Sequence, residues 1–433
     1  MSARASWPSL AAYGTLRMPL ALLELPLFVL LPSFYSRSLG VDLAAIGAVL
    51  FASRLVDAAA DPFIGATIDR WRTRFDYRRW IWAALPVLVA GFAAMFTPPA
   101  GSGQLAAWLA ATSMVTYLAY SVVSIAYQSW GACLGDTSAE RARVTATREA
   151  FGLIGVVAAS ALLAPEHART LVFAVAGLGV LTALAIGRAP MPAAVVPGRT
   201  DAASVAPAGV GALAAWREVF GNRAWRWLLA AFVLNGIATA IPATLVLFFV
   251  RDVLGADDRA SAMFLIAYFV AGAAGMPLWV WAARRFGLRN AWLLGMAFAV
   301  IAFVGALGLG RGDVAPFMAV CVLTGLALGS DLAIPPAMLA AVIADAGHSA
   351  RREGAYFGVW NLATKLNLAI AAGVALPLLG WIGYTPGGHG GTLALSLTYA
   401  ALPSALKLAA GLIVLLAPFP ESAPNVRARA GIA

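Results

Sequence analysis

Three ionisable residues, Arg54, Asp57 and Asp61, follow one another at spacings of three and four inside an apolar run from Ile46 to Ile68. At helical pitch they share one face, and two carboxylates stacked one turn apart cannot both stay ionised cheaply. The run is long enough to cross a bilayer, where each such charge costs about 2.5 to 3.5 kcal/mol on insertion scales. The pair therefore needs a proton, a small cation or a basic partner. Two chemistries fit: reversible cation binding, or a structural ion-pair lock with Arg54, Arg148 or Lys365.

Nearly every cation in the chain is arginine, and the two lysines, Lys365 and Lys407, both fall inside apolar runs. Arginine stays protonated, whereas a desolvated lysine can give up its charge. Lys365, mid-run and one turn after Asn361, is expected to serve a titratable centre; Lys407 is expected to snorkel toward an interface. Glu24 and Asp331 are further acids in apolar runs, open to pairing with Arg17, Arg148 or Lys365 or to contact with a solute. Tyr120, Tyr127, Gln128, Asn235, Trp360 and Asn361 could supply the rings and hydrogen bonds of a polar-solute site, and each also suits packing. His167, His348 and His389 are isolated, no GxSxG or HExxH occurs, and the glycines around His389 lack the Lys-Ser/Thr of a phosphate loop. The expectation is a protein that is not an enzyme, holds no metal or organic cofactor and does not run on ATP. Cys133 and Cys321 lack metal-ligand or CxxC spacing and are expected in the core.

The elements that position these residues follow from composition. Of 433 residues, 61% are hydrophobic and 12% charged, and the mean hydropathy is +0.83, which marks an all-α integral membrane protein. Apolar runs predict twelve transmembrane helices near 9–35, 42–68, 79–98, 105–133, 144–164, 169–188, 224–250, 260–283, 289–309, 314–344, 354–382 and 394–418. Arginines cluster after the even-numbered spans, so both termini are expected in the cytoplasm. The net charge of +10 is spread over these short clusters, which argues against a nucleic-acid partner. The first run is expected to be a span and not a cleaved signal. Residues Arg188 to Gly211, rich in Pro, Ala and Val, predict a linker. The chain divides into an N-terminal six-helix bundle (1–189), a cytoplasmic linker (190–221) and a C-terminal six-helix bundle (222–433). The halves echo each other, as a transporter with parallel repeats would. Pro19, Pro26, Pro32 and Pro335-Pro336 mark kinks or cavity lining.

The pattern Asp57-x-x-x-Asp61-Pro62-x-x-Gly65-x-x-x-Asp69-Arg70 with Arg74, then Ile125-Ala-Tyr127-Gln-Ser-Trp-Gly131, Arg148-Glu149-Ala-Phe151-Gly, and Arg351-Arg352-Glu353-Gly354-Ala-Tyr356 with Trp360 and Lys365 resembles the glycoside-pentoside-hexuronide:cation symporters of the major facilitator superfamily. The resemblance spans both halves, in order. It implies two pseudo-symmetric six-helix bundles and cation-driven uptake of a small organic solute by alternating access. It also implies that Asp57 and Asp61 bind the coupling cation with Ser121 as a hydroxyl ligand, and that Lys365 and Arg148 belong to the same charged centre. Gly65 to Arg79 resembles the cytoplasmic gate, with Asp69, Arg70 and Arg74; Asp136 and Arg141, and Asp345 and Arg351, are expected to take part.

Two departures shape the reading. The amide usual between the carboxylates is replaced by Ala60, which favours a proton over sodium, because sodium wants several hard oxygen ligands. The acids that contact sugars in related carriers correspond to Leu16 and Ser124, so a lysolipid or other amphiphile is an alternative cargo to a sugar or glycoside. An integral-membrane enzyme on lipid-linked substrates and a non-transporting sensor are more distant alternatives. A monomer in the bacterial inner membrane is expected, with the solute, the cation and the bilayer as its partners.

Overall fold

The computed structural model describes residues 6–72, 74–99, 104–160, 162, 168–190, 212–384 and 391–419. Among them there are helices and turns and no strands. The helices are α1 (Trp7–Gly14), α2 (Arg17–Ser33), α3 (Leu43–Trp71), α4 (Tyr77–Met95), α5 (Leu105–Ala132), α6 (Ser138–Ser160), α7 (Ala168–Ile186) and α8 (Ala212–Gly221), then α9 (Arg223–Phe248), α10 (Asp258–Val304), α11 (Val314–Asp345), α12 (Glu353–Trp381), α13 (Thr392–Ser396) and α14 (Leu402–Leu416). By length and composition alone, seven helical runs suffice to cross a membrane. One of these is α10, which contains two expected spans: Gly287 sits inside it at φ 81 and ψ 165, a conformation open to glycine.

The first expected span is broken into α1 and α2, and Pro19 is the cause. It has no N–H to offer the Thr15 carbonyl, and its ring crowds that carbonyl. The Met18 N–H takes the carbonyl instead, at 3.1 Å, in a tightened turn. The Thr15 hydroxyl closes back onto the Ala12 carbonyl at 2.9 Å. His167, His389 and most of the expected linker from Arg188 to Gly211 lie outside the described residues.

The two halves repeat the same local devices. After α2 and after α9 the chain widens into a π turn, at Phe34–Ser38 and Phe249–Val253. Each is followed by a left-handed glycine, Gly40 at φ 68 and Gly255 at φ 66. An aspartate then caps the next helix: Asp42 accepts from the Ala45 N–H at 2.9 Å, and Asp257 from the Ala260 N–H at 2.8 Å. Pro62 of α3 has its counterpart in Pro277 of α10.

By packing, the chain forms two units. The first comprises Met1–Gly135, Thr147–Val219 and Gly347–Leu362, and so takes in the opening turns of α12; the second comprises Asp136–Ala146, Phe220–Ala346 and Ala363–Ala433. In the first, α5 packs on both α3 and α4. The core of the second is aromatic, with Phe249 stacked on Tyr399 at 4.2 Å and Phe264 edge-on to Phe317 at 4.8 Å.

Candidate functional site

Every fourth residue of α3 from Ser53 onward is buried: Ser53, Asp57, Asp61, Gly65 and Asp69. Residues four apart on a helix stack into one ridge, and each member of this one has its own neighbour. The Ser53 and Ser113 hydroxyls meet at 2.9 Å. Ser121 of α5 donates its hydroxyl to Asp57 Oδ1 at 2.7 Å. Asp57 is 6% exposed and Asp61 wholly buried, so the structure brings together Asp57, Asp61 and Ser121 as the sequence predicts. Arg54 lies over the Tyr117 ring, 5.9 Å from its centre.

The C-terminal end of the ridge packs on the first turns of α12. A Cβ on Gly65 would stand 2.0 Å from the Gly354 carbonyl oxygen, and one on Gly358 would stand 2.5 Å from the Asp61 carbonyl oxygen, so the backbones cross where neither bears a side chain. Asp69 Oδ1 and Oδ2 accept from the Gly354 and Ala355 N–H groups, both at 2.7 Å. The carboxylate of α3 thereby caps α12, at the end of that helix that favours an anion. Beside it Arg72 pairs with Glu353 at 2.7 Å, and Cys133 donates its thiol to Glu353 at 3.1 Å. Cys133 thus belongs to an ionic cluster and not to the apolar core expected of it; Cys321 is buried. Arg352 holds Glu218 of α8 through Nε at 2.7 Å and Nη2 at 3.0 Å. These hydrogen bonds keep the Glu218 carboxyl below its ordinary range. Arg70 and Arg74 are exposed, Arg74 over the Trp71 ring.

A profile of the MFS/sugar transport protein family matches residues 12–421. The chain belongs to that family. It is 23% identical to the isoprimeverose transporter of Lactiplantibacillus pentosus over 375 residues, covering 81% of this chain and 75% of that one. It is also 23% identical to the glucuronide carrier protein homolog of Escherichia coli (strain K12) over 406 residues, 89% of this chain and 86% of that one. Among solved structures it resembles the major facilitator transporter FucP in its outward conformation, at a TM-score of 0.66 and 16% identity, covering 93% of this chain and 98% of that one. That likeness speaks for the fold: an all-α major facilitator protein. This family member is a multi-pass secondary transporter of the symporter class, with a small-molecule solute and a coupling cation, and not an enzyme.

The transporter's first unit holds a second polar cluster. Arg17 of α2 donates to Glu24 at 2.9 Å and reaches Glu149 at 3.5 Å; Arg148 pairs with Glu149 at 2.7 Å. Tyr120 donates its hydroxyl to Glu24. Glu24 is the most exposed of these four charges, its side chain 33% accessible, so the cluster presents a carboxylate and keeps its guanidiniums behind. Tyr120, Ser124 and Gln128 follow at intervals of four on α5, all half-buried. Gln128 donates to Ser124 Oγ and to Asn361 Oδ1, both at 2.9 Å. Two expected solute contacts are placed otherwise. Tyr127 is buried and clamps α1, donating to the Tyr13 carbonyl at 2.8 Å, and Trp360 is buried too.

In the second unit, Asp331 pairs with neither Arg17, Arg148 nor Lys365 as its ion partner. Its counter-charge is Lys407 of α14, at 2.5 Å, and the Lys407 side chain is only 10% exposed. The expectation of snorkelling fails because Asn235 and Asp331 give the ammonium acceptors inside the bundle. Lys365 follows Asn361 by one turn on α12, half-buried. Arg141 lies in the field of Asp345 and Asp136, and burial lowers its pKa.

Proposed function

We propose that this transporter couples the movement of a small hydroxylated solute, a sugar or glycoside, to a proton moving in the same direction, by alternating access in the bacterial inner membrane, as a monomer with both termini in the cytoplasm. One observation carries the reading: a buried aspartate pair one turn apart on α3, with the Ser121 hydroxyl donated to Asp57. A carboxylate pair inside a bilayer needs a cation part of the time, and a seat that fills and empties is what a symporter requires. Ala60 between the acids offers no oxygen, so the pair suits a proton, which needs one base, better than sodium. Relatives named for isoprimeverose and glucuronide support a glycoside. So does the polar row from Glu24 and Tyr120 through Ser124 and Gln128 to Asn361.

The test is a thermal-shift screen of purified protein against sugars, glycosides, uronic acids and lysolipids, with and without sodium, followed by uptake of the stabilising solute into proteoliposomes. A glycoside should stabilise without sodium, and a pH gradient should drive its accumulation. Asp57→Asn and Asp61→Asn should each abolish accumulation up a gradient. Stabilisation by sodium alone refutes the proton, stabilisation by lysolipids alone refutes the glycoside, and uphill transport by both Asn variants refutes the seat.

A further inference from the structure

The second unit carries an ionisable pair that the cation site does not use. Lys407 Nζ donates to Asp331 Oδ2 at 2.5 Å, to Asn235 Oδ1 at 2.7 Å and to Thr239 Oγ1 at 3.4 Å. The other Asp331 oxygen accepts from the Trp292 indole N–H at 3.1 Å. Three helices besides α11 therefore converge on the pair: α10 and α14 on Asp331, and α9 on Lys407.

The partners are arranged so that either charge can lose the other. If a proton from solvent settles on Asp331 Oδ2, one O–H bond forms and the ion pair ends. Lys407 then keeps two neutral acceptors, Asn235 and Thr239, while Asp331 keeps the indole donor on Oδ1. Breaking a buried pair is costly where it leaves one charge alone, and here the neutral partners on each side lower that cost. Both side chains are almost buried, at 10% and 11% exposed.

The internal repeat points the same way. The positions of α10 that answer to Asp57 and Asp61 of α3 are Gly272 and Met276, one residue before Pro277 as Asp61 is before Pro62. At those two positions the second half carries no acid, and its paired acid is Asp331 of α11. We propose that Asp331, with Lys407 as its counter-charge, is a second proton seat, carried by the second unit and separate from the Asp57–Asp61 pair.

The groups facing this seat are few enough to name. Tyr268 of α10 lies in the field of Asp331. From α9 come the neutral Asn235 and Thr239. α12, whose Asn367 covers Gly236 next to Asn235, carries Lys365 two residues earlier.

The experiment is infrared difference spectroscopy of the full chain in lipid, stepping between about pH 2 and 9, a range that brackets carboxyl titration in proteins. A protonated carboxyl has its own carbonyl stretch, apart from ionised ones. Wild type should show a pH-dependent band that Asp331→Asn removes and that the Asp57→Asn/Asp61→Asn double variant retains. Lys407→Met removes the counter-charge and should change the pH range over which that band appears, while leaving it in place. The doubly neutral Asp331→Asn/Lys407→Met variant leaves no lone buried charge and should lose the same band if the single variant does not fold. An identical spectrum in wild type and in the Asp331 variants means Asp331 stays ionised throughout, and overturns the proposal. The Asp57 and Asp61 bands are read separately, so either seat can fail without the other.

Discussion

The α3–α12 crossing sets up a sharp perturbation, Gly65→Ala. The new methyl would stand 2.0 Å from the Gly354 carbonyl oxygen and 2.6 Å from the carbonyl carbon. Backbone cannot swing aside as a side-chain tip can, so to reach an ordinary contact the opening of α12 must withdraw by about 1.4 Å. That withdrawal carries the Gly354 and Ala355 N–H groups, now 2.7 Å from Asp69, out of hydrogen-bond range. Each such bond to a charged acceptor contributes about 1.5 to 3 kcal/mol. A net loss of about 2 kcal/mol, allowing for water replacing one of them, shifts the balance toward separated helices about 30-fold. Cys133 reports the separation, because its thiol rests on Glu353, the first residue of α12. In a Cys321→Ala background, the rate at which a small maleimide labels Cys133 should rise at least about 10-fold in Gly65→Ala, the factor for 1.4 kcal/mol. Gly177→Ala, where a Cβ meets nothing within 4 Å, should leave the rate unchanged. Labelling of Gly65→Ala at the wild-type rate refutes the reasoning.

Other consequences are as direct. Ser121→Ala removes a donor to a buried carboxylate, a loss of about 1.5 to 3 kcal/mol, and should lower the melting temperature of the purified protein, while Ser121→Thr restores it; melting curves read both. Because the folded-state pKa of Glu218 is depressed by Arg352, the stabilisation it gives α8 is full above its unfolded value near about 4.3 and is lost as pH falls through the folded value. The protection of the α8 amides against hydrogen exchange, taken relative to the intrinsic rate at each pH, should therefore fall in acid below about pH 4, and Arg352→Gln should abolish the step.

The parts of this protein that sequence reveals are those set by local periodicity. Hydropathy marks the spans, and the four-residue interval between Asp57 and Asp61 puts both acids on a shared face by spacing alone. The use of lysine at only two places flags Lys407 as unusual, but its acceptors Asn235 and Asp331 lie on other helices, 172 and 76 residues away. Lacking them, the sequence favours snorkelling toward an interface for Lys407. Pro19 is visible as a proline, yet whether it kinks a span or divides it depends on whether a neighbouring turn can take up the orphaned Thr15 carbonyl, as Met18 does. The Asp69 cap is beyond sequence reasoning for the same reason: it joins residues 285 apart.

The energetics of the α3 ridge bear on how such a carrier avoids leaking protons. Asp57 and Asp69 stand twelve residues apart on one helix, about 18 Å along its axis, so the proposed cation seat and the cap on α12 belong to one helix, with Pro62 between them. Releasing both Asp69 bonds costs about 3 to 6 kcal/mol by the range for charged acceptors. One proton crossing 100 mV supplies about 2.3 kcal/mol. A single bound proton is therefore too little to free α12 from α3, and the shortfall must come from solute binding or from a second charge such as the one assigned to Asp331. Two charges supply about 4.6 kcal/mol, inside the range of the cap yet short of its upper end. On the proposed proton coupling, one proton falls below the range of the cap and two fall within it, so solute binding must supply the remainder before α12 separates from α3.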